Sequence, residues 1–206
     1  MKHAIIYLHG FNSAALDHSG KLLTSKNKLA VLERFCNDLQ IKFCVSNIDY
    51  RDFEKILAHF IQLHRELIDQ DYNVVFMGSS LGGFSSEYLA LKTKSKAILI
   101  NPAINPSDQL VKYIGITENF ETKSPFDWHQ ANCDQFKRYE IELKKFTTEK
   151  GRRTILLDMA DELIDSSQTY RQYKEIADVT IYKGGSHSFE HIEEALPIIK
   201  KAVIHG

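Results

Sequence analysis

The apolar residues of this chain follow two patterns, short unbroken runs and longer stretches with helical spacing. Runs rich in Val, Ile and Leu predict strands. Six such strands are expected, over Ala4–Leu8, Ile41–Ser46, Asn73–Met77, Lys96–Asn101, Thr154–Asp158 and Asp178–Tyr182. Helical stretches separate them, and this alternation is typical of βαβ units. We therefore predict an α/β fold with a mainly parallel sheet of six strands in the order 2-1-3-4-5-6.

Helical spacing is clearest between the second and third predicted strands. Apolar residues recur there at i, i+3, i+4 and i+7, which predicts an amphipathic helix from about Arg51 to Gln70. Weaker patterns predict further helices over Lys21–Asn37, Gly82–Lys92, Ser167–Ile176 and Ile192–Val203. A chain of 206 residues is long enough to bury a hydrophobic core, so we expect a single domain over residues 1–206.

One connection, from about residue 102 to residue 150, is far longer than a simple crossover. Its first half contains prolines and its second half, Ala131–Lys145, has a helical pattern. We predict a small helical cap insertion over the carboxyl edge of the sheet, which lines a substrate pocket with aromatic residues. Trp128 is the aromatic residue expected to contact substrate. The alternative is a helical segment that only covers the core.

Composition narrows the class of protein. A net charge of -1 with 26% charged residues is typical of a globular protein in water. No broad basic surface is predicted, so a small-molecule substrate is the expected partner rather than nucleic acid or a membrane. Three cysteines at unrelated spacings fit a reducing compartment, and the apolar run Ala4–Leu8 is too short for a signal-peptide core. We expect a cytoplasmic protein, either a monomer or a homodimer.

The most informative motif follows the third predicted strand. Gly78-Ser79-Ser80-Leu81-Gly82 is a G-x-S-x-G pattern between a strand and a helix, the arrangement called a nucleophile elbow. Such a turn lifts the serine hydroxyl above the sheet and brings the strand and helix backbones close together. Glycines at both ends are then expected, because side chains there would collide. Ser80 is the predicted nucleophile.

A serine nucleophile needs a base and a carboxylate that orients the base. In open α/β sheets such groups gather at the carboxyl ends of strands. Asp161 follows the fifth predicted strand and is the favoured acid, with Glu162 and Asp165 as substitutes; Asp165 is equally suited to cap the next helix.

The candidate base follows the sixth predicted strand, where a double glycine precedes His187. His191 is the alternative, although we expect it at or within the final helix. An H-E-x-x-H pattern is absent around these histidines, so neither a metal nor another cofactor is predicted.

Acyl transfer also requires N–H donors for the negatively charged oxygen of the tetrahedral intermediate. The backbone N–H of Leu81, directly after the nucleophile, is one candidate. Gly10 allows a sharp turn after the first strand, which would aim the N–H of Phe11 at the same oxygen. Gly10 and Asn12 are also candidates for substrate contact, although Asn12 could instead stabilise the loop. His9 is interpreted as structural.

Five motifs together carry a family resemblance. They are LHGFNS near the N-terminus, GSSLGG at the elbow, INPA over Ile100–Ala103, the DE-x-x-D loop and the GG-x-H-x-F loop. In combination they resemble the YqiA-like group of small bacterial α/β-hydrolase esterases. The resemblance implies an α/β-hydrolase fold and esterase activity on short acyl esters. It implies Ser80, Asp161 and His187 as a catalytic triad, with Phe11 and Leu81 as oxyanion donors.

The prediction is therefore a serine esterase that hydrolyses short- to medium-chain carboxylic esters through an acyl-enzyme. Two alternatives use the same fold. One is a thioesterase or deacylase with the same triad, and the other is a binding protein without catalysis. Matched ester and thioester substrates separate the first alternative, and a covalent serine probe separates the second.

Overall fold

A six-stranded parallel sheet forms the centre of the molecule. The computed structural model describes residues 1–23, 27–145 and 152–205. Its strands are β1 (Lys2–Leu8), β2 (Lys42–Val45), β3 (Tyr72–Ser79), β4 (Lys96–Ile100), β5 (Gly115–Glu118), β6 (Pro125–Trp128), β7 (Arg153–Asp158) and β8 (Asp178–Tyr182). The large sheet has the order β2-β1-β3-β4-β7-β8, with every neighbouring pair parallel. The predicted order of strands is confirmed.

Helices cover both faces of this sheet. They are α1 (Asn27–Asp38), α2 (Phe53–Ile68), α3 (Leu81–Thr93), α4 (Pro106–Gln109), α5 (Gln130–Lys145), α6 (Ser166–Tyr173) and α7 (Ile192–Lys200). A π-helical turn over Lys201–His205 continues α7. The first predicted helix is shorter than expected, because Leu22 pairs with Leu16 in a β-bridge; residues 24–26 of that prediction lie outside the described residues.

The strands sort their side chains alternately onto two hydrophobic clusters. On β3, Val74 and Phe76 belong to the cluster beneath α2 and α3, whereas Val75 and Met77 belong to the cluster beneath α1 and α7. This period of two is the geometry of an extended strand. Because both faces are covered, the inner strands β1, β3, β4 and β7 are mostly apolar and buried, whereas the edge strands β2 and β8 are only partly covered.

The long insertion contains more than the predicted helix. Its helix α5 is confirmed, but an antiparallel hairpin of β5 and β6 precedes it, and residues 146–150 of the predicted insertion lie outside the described residues. The hairpin packs on the loop after β1, where the Phe11 ring lies 4.6 Å from the Trp128 ring. The insertion therefore anchors the loop that follows the first strand.

None of the helices in the described ranges is long and apolar enough to cross a membrane.

Candidate active site

Ser80 occupies the turn between β3 and α3 in a strained conformation. Its backbone has φ 58° and ψ -123°, a region that residues with a side chain rarely adopt. The Ser80 N–H donates to the Ile100 carbonyl at 3.0 Å, and the Ser80 carbonyl accepts from the N–H groups of Gly83 and Ala103 at 2.9 and 3.0 Å. These bonds hold the turn in place against its strain.

The two glycines of the elbow lie where the backbones nearly touch. A Cβ atom built at Gly78 would lie 2.1 Å from the Gly82 carbonyl oxygen, and one at Gly82 would lie 2.0 Å from the Leu8 carbonyl oxygen. Both distances are far inside van der Waals contact. The collision predicted for side chains at these positions is confirmed.

Gly10 brings the loop after β1 against Ser80. A Cβ atom at this position would lie 3.1 Å from Ser80 Cβ and 3.6 Å from Ser80 Oγ. His9 stabilises this loop through hydrogen bonds of both ring nitrogens. Its Nε2 accepts from the Ile48 N–H at 2.9 Å, so Nδ1 carries the proton and donates to the Gly10 carbonyl at 2.8 Å.

The hydrogen bond from His9 Nδ1 fixes the orientation of the peptide group between Gly10 and Phe11. The Gly10 carbonyl and the Phe11 N–H belong to the same trans peptide and therefore point in opposite directions. With the carbonyl held by His9, the Phe11 N–H points away from the His9 ring. Among the described residues, no protein group accepts a hydrogen bond from the N–H of Phe11 or of Leu81.

His187 and Asp161 form a close pair. The imidazole Nδ1 lies 3.0 and 2.8 Å from the two carboxylate oxygens of Asp161. The Asp161 side chain is 0% exposed, whereas the His187 side chain keeps 20% exposure. Asp161 Oδ1 also accepts the N–H groups of Leu163 and Ile164, both at 2.8 Å, so the loop fixes the carboxylate. An Nδ1–H bonded to Asp161 leaves Nε2 as the free basic atom.

The alternative acids have other partners. Glu162 accepts the backbone N–H of His187 at 3.0 Å rather than its ring. Asp165 is the N-cap of α6 and accepts the Gln168 N–H at 2.9 Å.

The alternative base also has its own partner. His191 Nδ1 lies 2.7 Å from Asp158, and its ring stacks on Tyr182 at a centroid distance of 5.0 Å. The bond to Asp158 raises the pKa of His191. Of the two Asp–His pairs, Asp161–His187 is the one whose histidine lines the same cavity as Ser80.

A cavity of about 640 Å³ lies above the carboxyl edge of the sheet. Ser80, Gly10, Phe11, Leu81 and His187 all line it. The structure records no hydrogen bond between the Ser80 hydroxyl and the His187 ring; catalytic bonds of this kind are often long before substrate binds. The apolar part of the wall comes mainly from the insertion and the Asp161 loop, with Ala103, Leu110, Tyr113, Phe120, Leu163 and Ile164.

Two predicted substrate contacts lie elsewhere. Trp128 is 0% exposed, and its Nε1–H donates to Cys133 Sγ at 3.2 Å, so it is a core residue between the hairpin and α5. Asn12 is 6% exposed, and its Nδ2 donates to Thr117 Oγ1 at 3.0 Å, which ties the loop to the hairpin. Neither is among the described residues that line the Ser80 cavity. Substrate contact by Trp128 stays a prediction; in the structure the hairpin turns its ring inward, against the ring of Phe11.

The structure also adds residues that motif reading missed. Lys28, from α1, lines the cavity and donates from Nζ to Ser79 Oγ at 2.8 Å. Tyr7 lies beneath this contact, and its burial raises the pKa of the phenol far above its usual range. Lys28 is distant in sequence from every motif, so no local pattern could have placed it beside the nucleophile.

Sequence comparison assigns the chain to a family. The sequence model of an uncharacterised protein family, UPF0227, matches residues 4–203. The chain belongs to this family. A UPF0227 protein of Vibrio parahaemolyticus is 24% identical over 204 residues, which cover 96% of this chain and 97% of the relative. A UPF0227 protein of Vibrio cholerae is also 24% identical over 204 residues, with 95% and 97% coverage. The resemblance carried by the five motifs is confirmed.

Structural comparison shows that this UPF0227 chain has the fold of the α/β hydrolases. Est1E from Butyrivibrio proteoclasticus superposes with a TM-score of 0.73 at 14% identity and covers 97% of this chain and 86% of its own. A monoacylglycerol lipase from Paleococcus ferrophilus has a TM-score of 0.64 at 11% identity, with 95% and 91% coverage. The predicted α/β-hydrolase fold is confirmed; at these identities the likeness extends to the fold alone.

Within residues 1–23, 27–145 and 152–205, no three His, Cys, Asp or Glu side chains are arranged to hold a metal ion.

Proposed function

We propose that this UPF0227 protein is a serine hydrolase that cleaves short- to medium-chain carboxylic esters. One observation carries the proposal: the strained elbow serine, Ser80, lines the same cavity as His187, whose ring is paired with the covered carboxylate of Asp161. A strained conformation at a half-buried serine that lines a cavity is a feature that folding alone does not favour. It is the feature expected of a nucleophile.

In the proposed reaction, Ser80 Oγ attacks the ester carbonyl while His187 Nε2 takes the hydroxyl proton. Asp161 stabilises the resulting imidazolium through Nδ1. The C–O bond of the tetrahedral intermediate then breaks, and His187 returns the proton to the departing alcohol. Water activated by His187 cleaves the acyl-enzyme, releases the acid and restores the Ser80 hydroxyl.

The oxyanion donors in this proposal are the backbone N–H groups of Phe11 and Leu81. Both residues line the cavity, and both N–H groups lack a protein acceptor among the described residues. The orientation of the Phe11 peptide by His9 supports the assignment. Losing one such donor typically lowers kcat by about 10²- to 10³-fold.

The size of the cavity supports a small substrate. Its volume of about 640 Å³ falls within the usual range for small-molecule sites, roughly 300–1,000 Å³. The apolar wall, which includes Leu110 and Tyr113, fits an acyl chain or ring better than a charged group.

Ser80→Ala is the direct test. We expect the variant to lose at least about 10³-fold in kcat/KM on p-nitrophenyl butyrate with little change in thermal stability. A fluorophosphonate probe is expected to label the wild-type protein once, at Ser80, and to leave the variant unlabelled. Equal hydrolysis by both proteins would refute the nucleophile, and an unlabelled, inactive wild type would favour the binding-protein alternative. Rates on matched esters and thioesters decide between an esterase and a thioesterase.

A further inference from the structure

The loop that carries His187 is held by a buried polar network that the proposed chemistry does not use. Asn101 directly follows the strand β4 and Asp158 ends β7, and both are 0% exposed. Neither lines the cavity among the described residues. Burying a carboxylate and an amide costs free energy unless their polar atoms are satisfied. Their polar atoms are satisfied by the His187 loop, residues 186–190, together with His191 and the backbone N–H of Asp158.

Asp158 holds the N–H groups on both sides of His187. Its Oδ2 accepts the N–H of Ser186 at 3.2 Å and the N–H of Glu190 at 2.8 Å. Its Oδ1 pairs with His191 Nδ1 at 2.7 Å, at the start of α7. The contact is tight, because a Cβ atom at Gly185 would lie 1.9 Å from Asp158 Oδ2.

Asn101 holds the carbonyl groups of the same loop. Its Nδ2 donates to the Ser186 carbonyl at 3.0 Å and lies 3.5 Å from that of His187. Its Oδ1 accepts the Asp158 N–H at 2.9 Å, which joins the two side chains into one network. Asn101 has φ 41°, a conformation that Asn tolerates better than most residues and that directs its amide across β7.

We infer that Asn101 and Asp158 are positioning residues for His187. The inference rests on the proposed function, because it assigns the network to holding the base at the distance that proton transfer needs. Asp161 orients the His187 ring, whereas Asn101 and Asp158 set the backbone from which the ring projects. This assignment also explains the asparagine of the INPA segment, which the triad leaves without a role.

The test is Asn101→Gly, since glycine keeps the positive φ and removes only the side chain. We expect kcat on p-nitrophenyl butyrate to fall about 10- to 100-fold, with KM within about threefold, because a displacement of about 1 Å at a reacting group costs roughly 10²-fold. Hydrogen–deuterium exchange of peptides covering residues 184–191 is expected to accelerate at least about tenfold. Asp158→Ala, which removes both acceptor oxygens from the loop, is expected to give the same split if the glycine variant fails to fold.

Asn132→Gly is the matched control. Asn132 makes the same two kinds of bond in α5, accepting the His129 N–H at 2.8 Å and donating to the Arg51 carbonyl at 3.1 Å. This variant is expected to keep wild-type kcat and wild-type exchange over residues 184–191. A similar loss of kcat in both variants would mean general destabilisation and would overturn the inference.

Two further outcomes separate this inference from the proposed function. If the wild type shows Ser80-dependent hydrolysis and Asn101→Gly retains its kcat and its exchange rates, packing of Phe189 suffices to hold the loop and the inference is overturned. If the wild type shows no Ser80-dependent hydrolysis, the proposed function fails. Faster hydrogen–deuterium exchange of residues 184–191 in Asn101→Gly would then show that the network anchors the loop, but the anchoring would have no role in catalysis.

Discussion

Replacing Asp161 with Asn tests the orientation of the base with the smallest change in shape. The aspartate makes two kinds of bond: Oδ1 accepts the N–H groups of Leu163 and Ile164, and both oxygens face His187 Nδ1. In Asp161→Asn, an amide oxygen at the Oδ1 position keeps the two backbone bonds. The amide NH₂ then faces the Nδ1–H of His187, so that two hydrogen-bond donors point at each other.

The conflict is relieved when His187 moves its proton from Nδ1 to Nε2. The ring can then accept from the newly introduced amide, but Nε2 no longer accepts the proton of Ser80. Loss of the correct tautomer in a serine triad lowers kcat by about 10⁴-fold, which corresponds to about 5 kcal/mol of activation free energy. We expect a loss of about 10³- to 10⁴-fold here. Because the Asp161 side chain is fully covered and the loop bonds survive, KM and thermal stability are expected to change little.

The assay is kcat and KM on p-nitrophenyl butyrate, with a thermal melt of each variant. Glu162→Gln and Asp165→Asn are the controls, because these acids bond to the His187 backbone and to the α6 N-terminus rather than to the imidazole. Both are expected to stay within about tenfold of wild type. The reasoning is refuted if Asp161→Asn retains more than a tenth of wild-type kcat, or if Asp165→Asn loses as much activity as Asp161→Asn.

Two other predictions follow from geometry and charge. Gly10→Ala is expected to lower kcat at least about tenfold while the protein stays folded, because the new Cβ lies 3.1 Å from Ser80 Cβ and must displace it. Gly20→Ala is the control for backbone strain without crowding, because its Cβ meets open space while its φ of 78° strains any side chain; equal kcat in the two variants would contradict the crowding. His191 has a raised pKa because it bonds to Asp158, so its stabilising effect is complete below the ordinary histidine pKa of about 6.5 and is lost as pH rises through the raised value. The difference in urea midpoint between wild type and His191→Gln is therefore expected to be larger at pH 5.5 than at pH 9, and a difference that grows with pH would contradict the pairing.

Local signals explain why much of the fold could be read from the sequence. Strand runs and helical spacing depend on residues close together in the chain, so the six strands and their order were predictable, together with the helix over Phe53–Ile68. The G-x-S-x-G pattern is equally local in sequence, although only the contact of Gly78 lies within the turn, whereas Gly82 is needed because of the Leu8 carbonyl on β1. Asp161 and His187 could be proposed because parallel strands deliver the residues that follow them to one edge of the sheet.

The tertiary structure alone decided which distant side chains meet. Asn101, Asp158 and the His187 loop follow or end three neighbouring strands whose order was predictable, but the hydrogen bonds among their polar groups depend on the path of each loop in space, which no spacing in the sequence encodes. Trp128 is a large aromatic residue of the type that often lines a pocket, yet the hairpin buries its side chain. The burial of Trp128 depends on packing against Phe11 and Cys133, which lie on different segments. Side-chain burial in an irregular insertion is set by such long-range contacts, and a one-dimensional pattern contains no record of them.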